Sequence, residues 1–281
     1  MDRIRPPAVA GSFYPSDTGE LNRLLDECFA SSPLGPKGTR SSSPALLGGM
    51  VPHAGYIYSG PCAAHLYACL DSSMQLVILL GVTHRSGGAK AALSPWNAWR
   101  TPFGDVPVNQ QASELLQTRV RFLKKDDLAH TYEHSIEVQM PFLQRVLGNF
   151  TFVPISLSRL ALEECIELGA AIAELYEVET RGNVRTIILA SSDLNHYLSP
   201  GEIDKLDRLA LEPILALDPS GLWEVVEAET LSMCGVLPTA VMLFAANAVG
   251  AKQARLLKHC HSGDVSPMSE VVGYASVAVD C

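Results

Sequence analysis

Five short polar segments, each beside an apolar run, hold the residues best suited to chemistry. They read Pro52-His53-Ala54-Gly55-Tyr56, Gly81-Val82-Thr83-His84, Glu133-His134-Ser135-Ile136-Glu137, Ser191-Ser192-Asp193-Leu194-Asn195-His196 and Met233-Cys234-Gly235. Four of the eight histidines fall in them, with one Asp, two Glu and one Cys. Imidazole, carboxylate and thiolate bind transition metals or move protons, so a fold that gathers these segments carries a metal or acid–base site. Asp193 and His196 place a carboxylate and an imidazole in one loop, a pair able to orient a base or ligate an ion. Cys234 precedes a helix that Pro238 can start, and a thiol near a helix N-terminus is biased toward thiolate.

The elements that must position these residues alternate along the chain. Ala45–Val51, Gln75–Leu80, Thr151–Leu157 and Val184–Ala190 are continuous apolar runs and read as buried strands, with Tyr274–Val279 as the last. Helical patterns cover Pro61–Leu70, Gln110–Thr118, Ser135–Leu147, Ala161–Val178, Glu202–Leu217 and Pro238–Val249. The alternation predicts a single α/β domain over residues 1–281, with a central, mixed, largely buried sheet flanked by helices. Lys90–Pro107 is expected to add an edge hairpin, and Ser31–Pro44, rich in Ser, Gly and Pro, reads as a loop after the first helix. His53, His84 and the Asp193–His196 loop each follow a strand closely. Ligands of open α/β sheets bind outside the carboxyl ends of strands, so three of the five segments are expected along one sheet edge.

The 281 residues carry a net charge of −9, which argues against a nucleic-acid-binding surface. Lys124-Lys125 is followed at once by Asp126-Asp127 and reads as a solvated turn. The N-terminal Met1-Asp2-Arg3-Ile4-Arg5-Pro6-Pro7 lacks the apolar stretch of a signal peptide, and no apolar run is long enough for a bilayer. Seven cysteines, odd in number and without a close CxxC pair, suit a reducing cytoplasm. Cys62, Cys69 and Cys165 sit in apolar surroundings and are assigned to core packing.

Taken one at a time, the motif residues have plainer readings. His53 and His84 also suit hydrogen-bonding roles in loops, Glu133 suits a helix N-terminus, and Ser192-Asp193 suits a cap. His134 is poorly explained by capping. His65 and His130 are assigned structural roles. His259 and His261 alternate around Cys260 and are expected on one face of a strand.

As an ordered set the motifs resemble the Memo family, the middle member of the AmmeMemoRadiSam trio (AmmeMemoRadiSam system protein B). The resemblance runs from Ala10-Gly11-Ser12-Phe13-Tyr14 through Pro52–Gly60, Gly81–His84, Trp99-Arg100-Thr101-Pro102, Glu133–Glu137, Ser191-Ser192-Asp193 with His196 and Cys234-Gly235 to Gly273-Tyr274-Ala275. It implies a fold similar to the LigB-type class III extradiol dioxygenases, which are non-haem iron enzymes. It further implies His53, His84 and Cys234 as metal ligands and Asp193 and His196 as catalytic residues of the same pocket. Phe13, Tyr58, Glu133 and His134 would belong to the substrate pocket. Phe13 stands where some members have Trp, which keeps an aromatic wall and loses an N–H donor. The implied cofactor is a metal ion, foremost Fe(II), with Cu or Zn as alternatives because thiolate softens the site. AMMECR-like and radical-SAM proteins are the implied partners, beside a small-molecule substrate.

Three functions are compatible with these residues: a metal-dependent oxidoreductase of dioxygenase type, a metal-free hydrolase or transferase with Cys234 as nucleophile, and a binding protein that uses the cleft for a peptide or small ligand.

Overall fold

The apolar runs become strands buried on both faces. The computed structural model describes residues 3–38, Ser43 and residues 45–281. In chain order the elements begin with β1 (Ile4–Arg5), α1 (Thr18–Asp26), β2 (Leu46–Val51), α2 (Tyr56–Tyr67), β3 (Leu76–Val82), β4 (Ala91–Leu93), β5 (Ala98–Thr101), β6 (Gly104–Pro107), α3 (Gln110–Arg119), β7 (Leu123–Lys125) and α4 (Leu128–Thr131). They continue with α5 (Met140–Leu147), β8 (Thr151–Leu157), α6 (Leu162–Arg181), β9 (Thr186–Ser191), β10 (His196–Leu198), α7 (Pro200–Leu215), α8 (Pro219–Ala228), α9 (Val236–Ala248), β11 (Gln253–His261) and β12 (Val271–Asp280).

One large sheet has the order β10-β12-β2-β9-β3-β8-β4-β7, with β11 also paired to β12. Its centre, β2-β9-β3-β8, is parallel, and β12 and β4 border it antiparallel, so the sheet is mixed as expected. Successive side chains of a strand face opposite ways. Leu76, Ile78 and Leu80 of β3 therefore join one core cluster with Ile172, Val241 and Leu243 of α6 and α9. Val77 and Leu79 join the other, with Leu25, Ala64 and Phe142 of α1, α2 and α5. Burial on both faces is why these strands read as unbroken apolar runs rather than alternating ones. Helices thus cover both faces of the sheet of this single-domain α/β protein.

Three local expectations are corrected. Lys90–Pro107 forms a hairpin only in its second half, and not on the large sheet: β4 enters the large sheet, whereas β5 pairs antiparallel with β6 and parallel with β1 in a separate three-stranded sheet. Ser135–Leu147 is not one helix: a 3-10 turn at Glu137–Gln139 precedes α5, whose first turn takes Pro141, a residue without the N–H that an earlier helical turn would require. The loop assigned to Ser31–Pro44 begins within a helical turn that ends at Ser31, and residues 39–42 and 44 lie outside the described residues. Pro219–Ala228, not assigned from the sequence, is a helix capped by Asp218, whose carboxylate accepts from Gly221 N at 2.9 Å.

Candidate metal centre

The carboxyl ends of β2, β3 and β9 lie side by side in the parallel part of the sheet, and each hands a polar residue to the same edge. His53 stands two residues beyond β2, His84 two beyond β3 and Asp193 two beyond β9. A fourth segment, Tyr132–Ile136, closes over the end of β3. It comes so near that a Cβ on Gly81 would lie 2.5 Å from Ile136 Cγ1 and 2.6 Å from Ser135 Oγ. Ser135 then bridges the segments, accepting from Val82 N at 3.0 Å and donating to Val82 O at 2.8 Å. This puts His134 beside His84, the rings stacked with centroids 4.6 Å apart.

His53, His84 and His134 each offer one ring nitrogen, and these three atoms lie within 4.8 Å of one another. Two of the rings are held as a definite tautomer. Ser191 Oγ donates its only proton to Ser135 O at 2.6 Å, so at 3.0 Å it must accept from His53 Nδ1. His84 Nδ1 lies 2.9 Å from Glu133 Oε1. Burial alone would raise the Glu133 carboxyl, but the hydrogen bond and charge of His84, then the charge of His134 and the Ser135 amide, hold it down at about 2. The ionised carboxylate accepts the Nδ1 proton. In the neutral form of each ring these contacts leave Nε2 as the lone pair that can ligate a metal. Burial, and then the neighbouring His84, lower His53 to about 3; burial and His53 lower His134 to about 4. His53 and His134 are therefore neutral imidazoles at neutral pH.

Cys234 lies just before α9, as expected, with Sγ 3.3 Å from His53 Nε2 and 3.6 Å from the carbonyl of Asp193. The expected thiolate is not what its surroundings favour. Burial, and then the Asp193 carboxylate, push the thiol up, so the helix N-terminus alone does not ionise it. The three gathered nitrogens therefore include His134, assigned from the sequence to the pocket wall, whereas Cys234 adjoins them through His53.

Asp193 is buried, which raises its carboxyl, although its bonds to backbone amides oppose this. Its Oδ1 accepts from His53 N at 2.7 Å and Ala54 N at 3.3 Å. It fixes the backbone of the His53 turn, while Ser191 and Glu133 make the Nδ1 contacts of His53 and His84. Ser191 carried no such signal in the sequence beyond its place at the strand end.

A cavity of about 320 Å³ opens on this cluster, lined by Phe13, His53, His84, His134, Asp193, His196, Tyr197 and Val272 among others. Phe13 packs against His134, centroids 4.6 Å apart. Tyr58, expected in the wall, instead packs with Ala54 and Val272 against Cys62, Cys260 and Tyr274. Glu133 lies beneath the pocket and serves its histidines. His196 reaches the cavity from the other side, its Nδ1 3.0 Å from Ser232 O. His65 and His130 have structural partners, the carbonyls of Leu34 and Ala92. His259 and His261 lie on β11 outside the site.

Fold and site together define an α/β protein with a histidine-rich pocket at the carboxyl edge of a parallel sheet. Comparison with known proteins gives the family: residues 5–278 match the family model described as Memo-like protein, and the chain belongs to the Memo family. It is 43% identical to a MEMO1 family protein of Methanopyrus kandleri, over 97% of this chain and 98% of that one. A MEMO1 family protein of Ignicoccus hospitalis is 43% identical over 98% of each chain, and one of Methanocaldococcus jannaschii 38% identical over the full length of both. Among the described residues no helix is long and apolar enough to cross a membrane.

Proposed function

We propose that the pocket holds a transition-metal ion and that the protein is a metal-dependent oxidoreductase of dioxygenase type acting on a small substrate. The observation that carries this reading is the gathering of three imidazole nitrogens within 4.8 Å, with Ser191 and Glu133 behind two of the rings. Oriented rings backed by a hydroxyl and a carboxylate are the donor set that such an ion requires. His53 and His84 would hold it, with His134 or Cys234 as third donor. A cation beside Cys234 would offset the burial and charge that keep its thiol protonated. Fe(II) suits the imidazoles, while ligation by Cys234 would shift preference toward Cu(I) or Zn.

The bound ion would supply open positions for a substrate and for dioxygen. The chain's own residues supply the rest. The cavity size and the ring of Phe13 suit a flat, apolar substrate of a few atoms' breadth. His196, outside the three-nitrogen cluster, would take or return a substrate proton, and Asp193 would hold the His53 turn. The metal-free alternative with Cys234 as nucleophile is disfavoured by the same burial that keeps the thiol protonated.

Oxygen uptake by iron-loaded protein, measured over a panel of catechols and other small phenols, tests the reading. Uptake that is abolished in His196→Ala, with metal content retained, supports it. Saturable binding of a panel member without turnover would indicate a binding protein instead.

A further inference from the structure

Behind His196 runs a chain of hydrogen bonds that leads away from the cavity. Asp207, on α7, is fully buried. Its Oδ1 accepts from Asn195 N at 3.0 Å and Asn195 Nδ2 at 2.9 Å, and its Oδ2 lies 2.9 Å from His259 Nε2 on β11. The carboxylate rests directly on β12 at Gly273, where a Cβ would lie 1.9 Å from Oδ2, so no larger residue fits. With its Nδ2 committed to Asp207, Asn195 turns Oδ1 outward to accept from Ser232 N at 2.9 Å. Ser232 in turn meets His196 twice: Ser232 Oγ accepts from His196 N at 2.9 Å, and Ser232 O lies 3.0 Å from His196 Nδ1.

A carbonyl oxygen can only accept, so His196 Nδ1 carries a proton, and in the neutral ring Nε2 is then the bare nitrogen. Ser232 lies in the irregular stretch between α8 and α9, and the Asn195 side chain is what binds its amide to the His196 loop. The adjoining backbone is strained: Tyr197 has φ 59°, at a register shift in the pairing of β10 with β12. A bulky residue in that region persists only where its neighbours hold it. We propose that Asn195 and Asp207 are positioning residues that fix His196 as the Nδ1–H tautomer, so that a bare Nε2 is available to the cavity as proton acceptor. Its value to chemistry rests on the acid–base reading of His196; the tautomer itself does not. Neither residue lines the cavity or touches the metal-ligand histidines. The same clamp seats the segment that carries Cys234.

Nitrogen-15 NMR of the full chain, labelled at histidine, reads the tautomer directly. Wild type is expected to show His196 with a protonated Nδ1 and a bare Nε2. Asn195→Ala should give a mixture of tautomers. Asp207→Asn should keep the wild-type pattern, because its amide oxygen still accepts from Asn195 while its NH2 donates to His259. Asn195→Leu, closer in volume, replaces the alanine variant if that one does not fold. A protonated Nε2 in wild type, or an unchanged His196 pattern in the Asn195 variants, would overturn the proposal. A wild-type pattern that shifts as expected, in a protein that turns over nothing, would support the positioning and sink only the acid–base reading.

Discussion

Glu133 Oε1 faces His84 Nδ1 at 2.9 Å while also accepting from the backbone N–H groups of His134 and Ser135, at 2.8 and 2.9 Å. Its Oε2 accepts from His84 N at 2.6 Å. One buried carboxylate therefore sets the tautomer of one candidate ligand and the backbone of two. Every partner is a donor, so only an acceptor at both oxygens satisfies the site.

Glu133→Gln places an NH2 against one of those donors. Losing such a partner behind a metal-binding imidazole costs about 10- to 100-fold in metal affinity. Competition titration against a chromophoric chelator measures it, and affinity equal to wild type would show that Glu133 does not orient the ligands.

Arg5 braces the same segment from the N-terminal strand. Its guanidinium donates to the Glu133 and His130 carbonyls and pairs with Glu137 at 2.6 Å, all fully buried. Breaking a buried pair from one side costs about 3–5 kcal/mol. Arg5→Met should lower stability in urea by that amount. A single variant within about 1 kcal/mol of wild type would mean the pair contributes little.

His130 is buried, and burial, then the Arg5 charge against its bond to Ala92 O, leaves it lowered from 6.5 to about 4. Between those values the unfolded chain binds more protons than the folded one, so stability falls as pH drops from about 6.5 toward about 4. His130→Gln, which can still donate to the carbonyl of Ala92, should lose part of that dependence. Urea midpoints at neutral pH and at pH about 5 give the comparison; an equal drop in both proteins would show that His130 does not titrate this way.

Much of this architecture is legible in the residues themselves. Runs such as Gln75–Leu80 announce strands buried on both faces, and the polar residues just beyond them mark the functional edge. Boundaries are less legible where a backbone property intervenes, as at Pro141, or where a short strand finds a distant partner, as β5 does with β1. Within the site, His53, His84, Asp193 and His196 reach the cavity as their strand-end positions suggest. The part played by His134 depends on how closely its segment packs against Gly81, and the protonated thiol of Cys234 on burial beside Asp193. Neither is encoded in local spacing. The link from Asp207 to His196 joins four separate stretches of chain and exists only once α7, β11 and the Ser232 segment are packed together.

The most direct test is metal content, measured by mass spectrometry on protein purified anaerobically without an affinity tag and then titrated with Fe(II), Cu(I) and Zn(II). The account predicts one tightly bound transition ion per chain. It should be lost in His53→Ala and His84→Ala and retained in His196→Ala, and comparison of His134→Ala with Cys234→Ala should identify the third donor. Absence of stoichiometric metal under every loading condition, or loss from His196→Ala as complete as from His53→Ala, would contradict it.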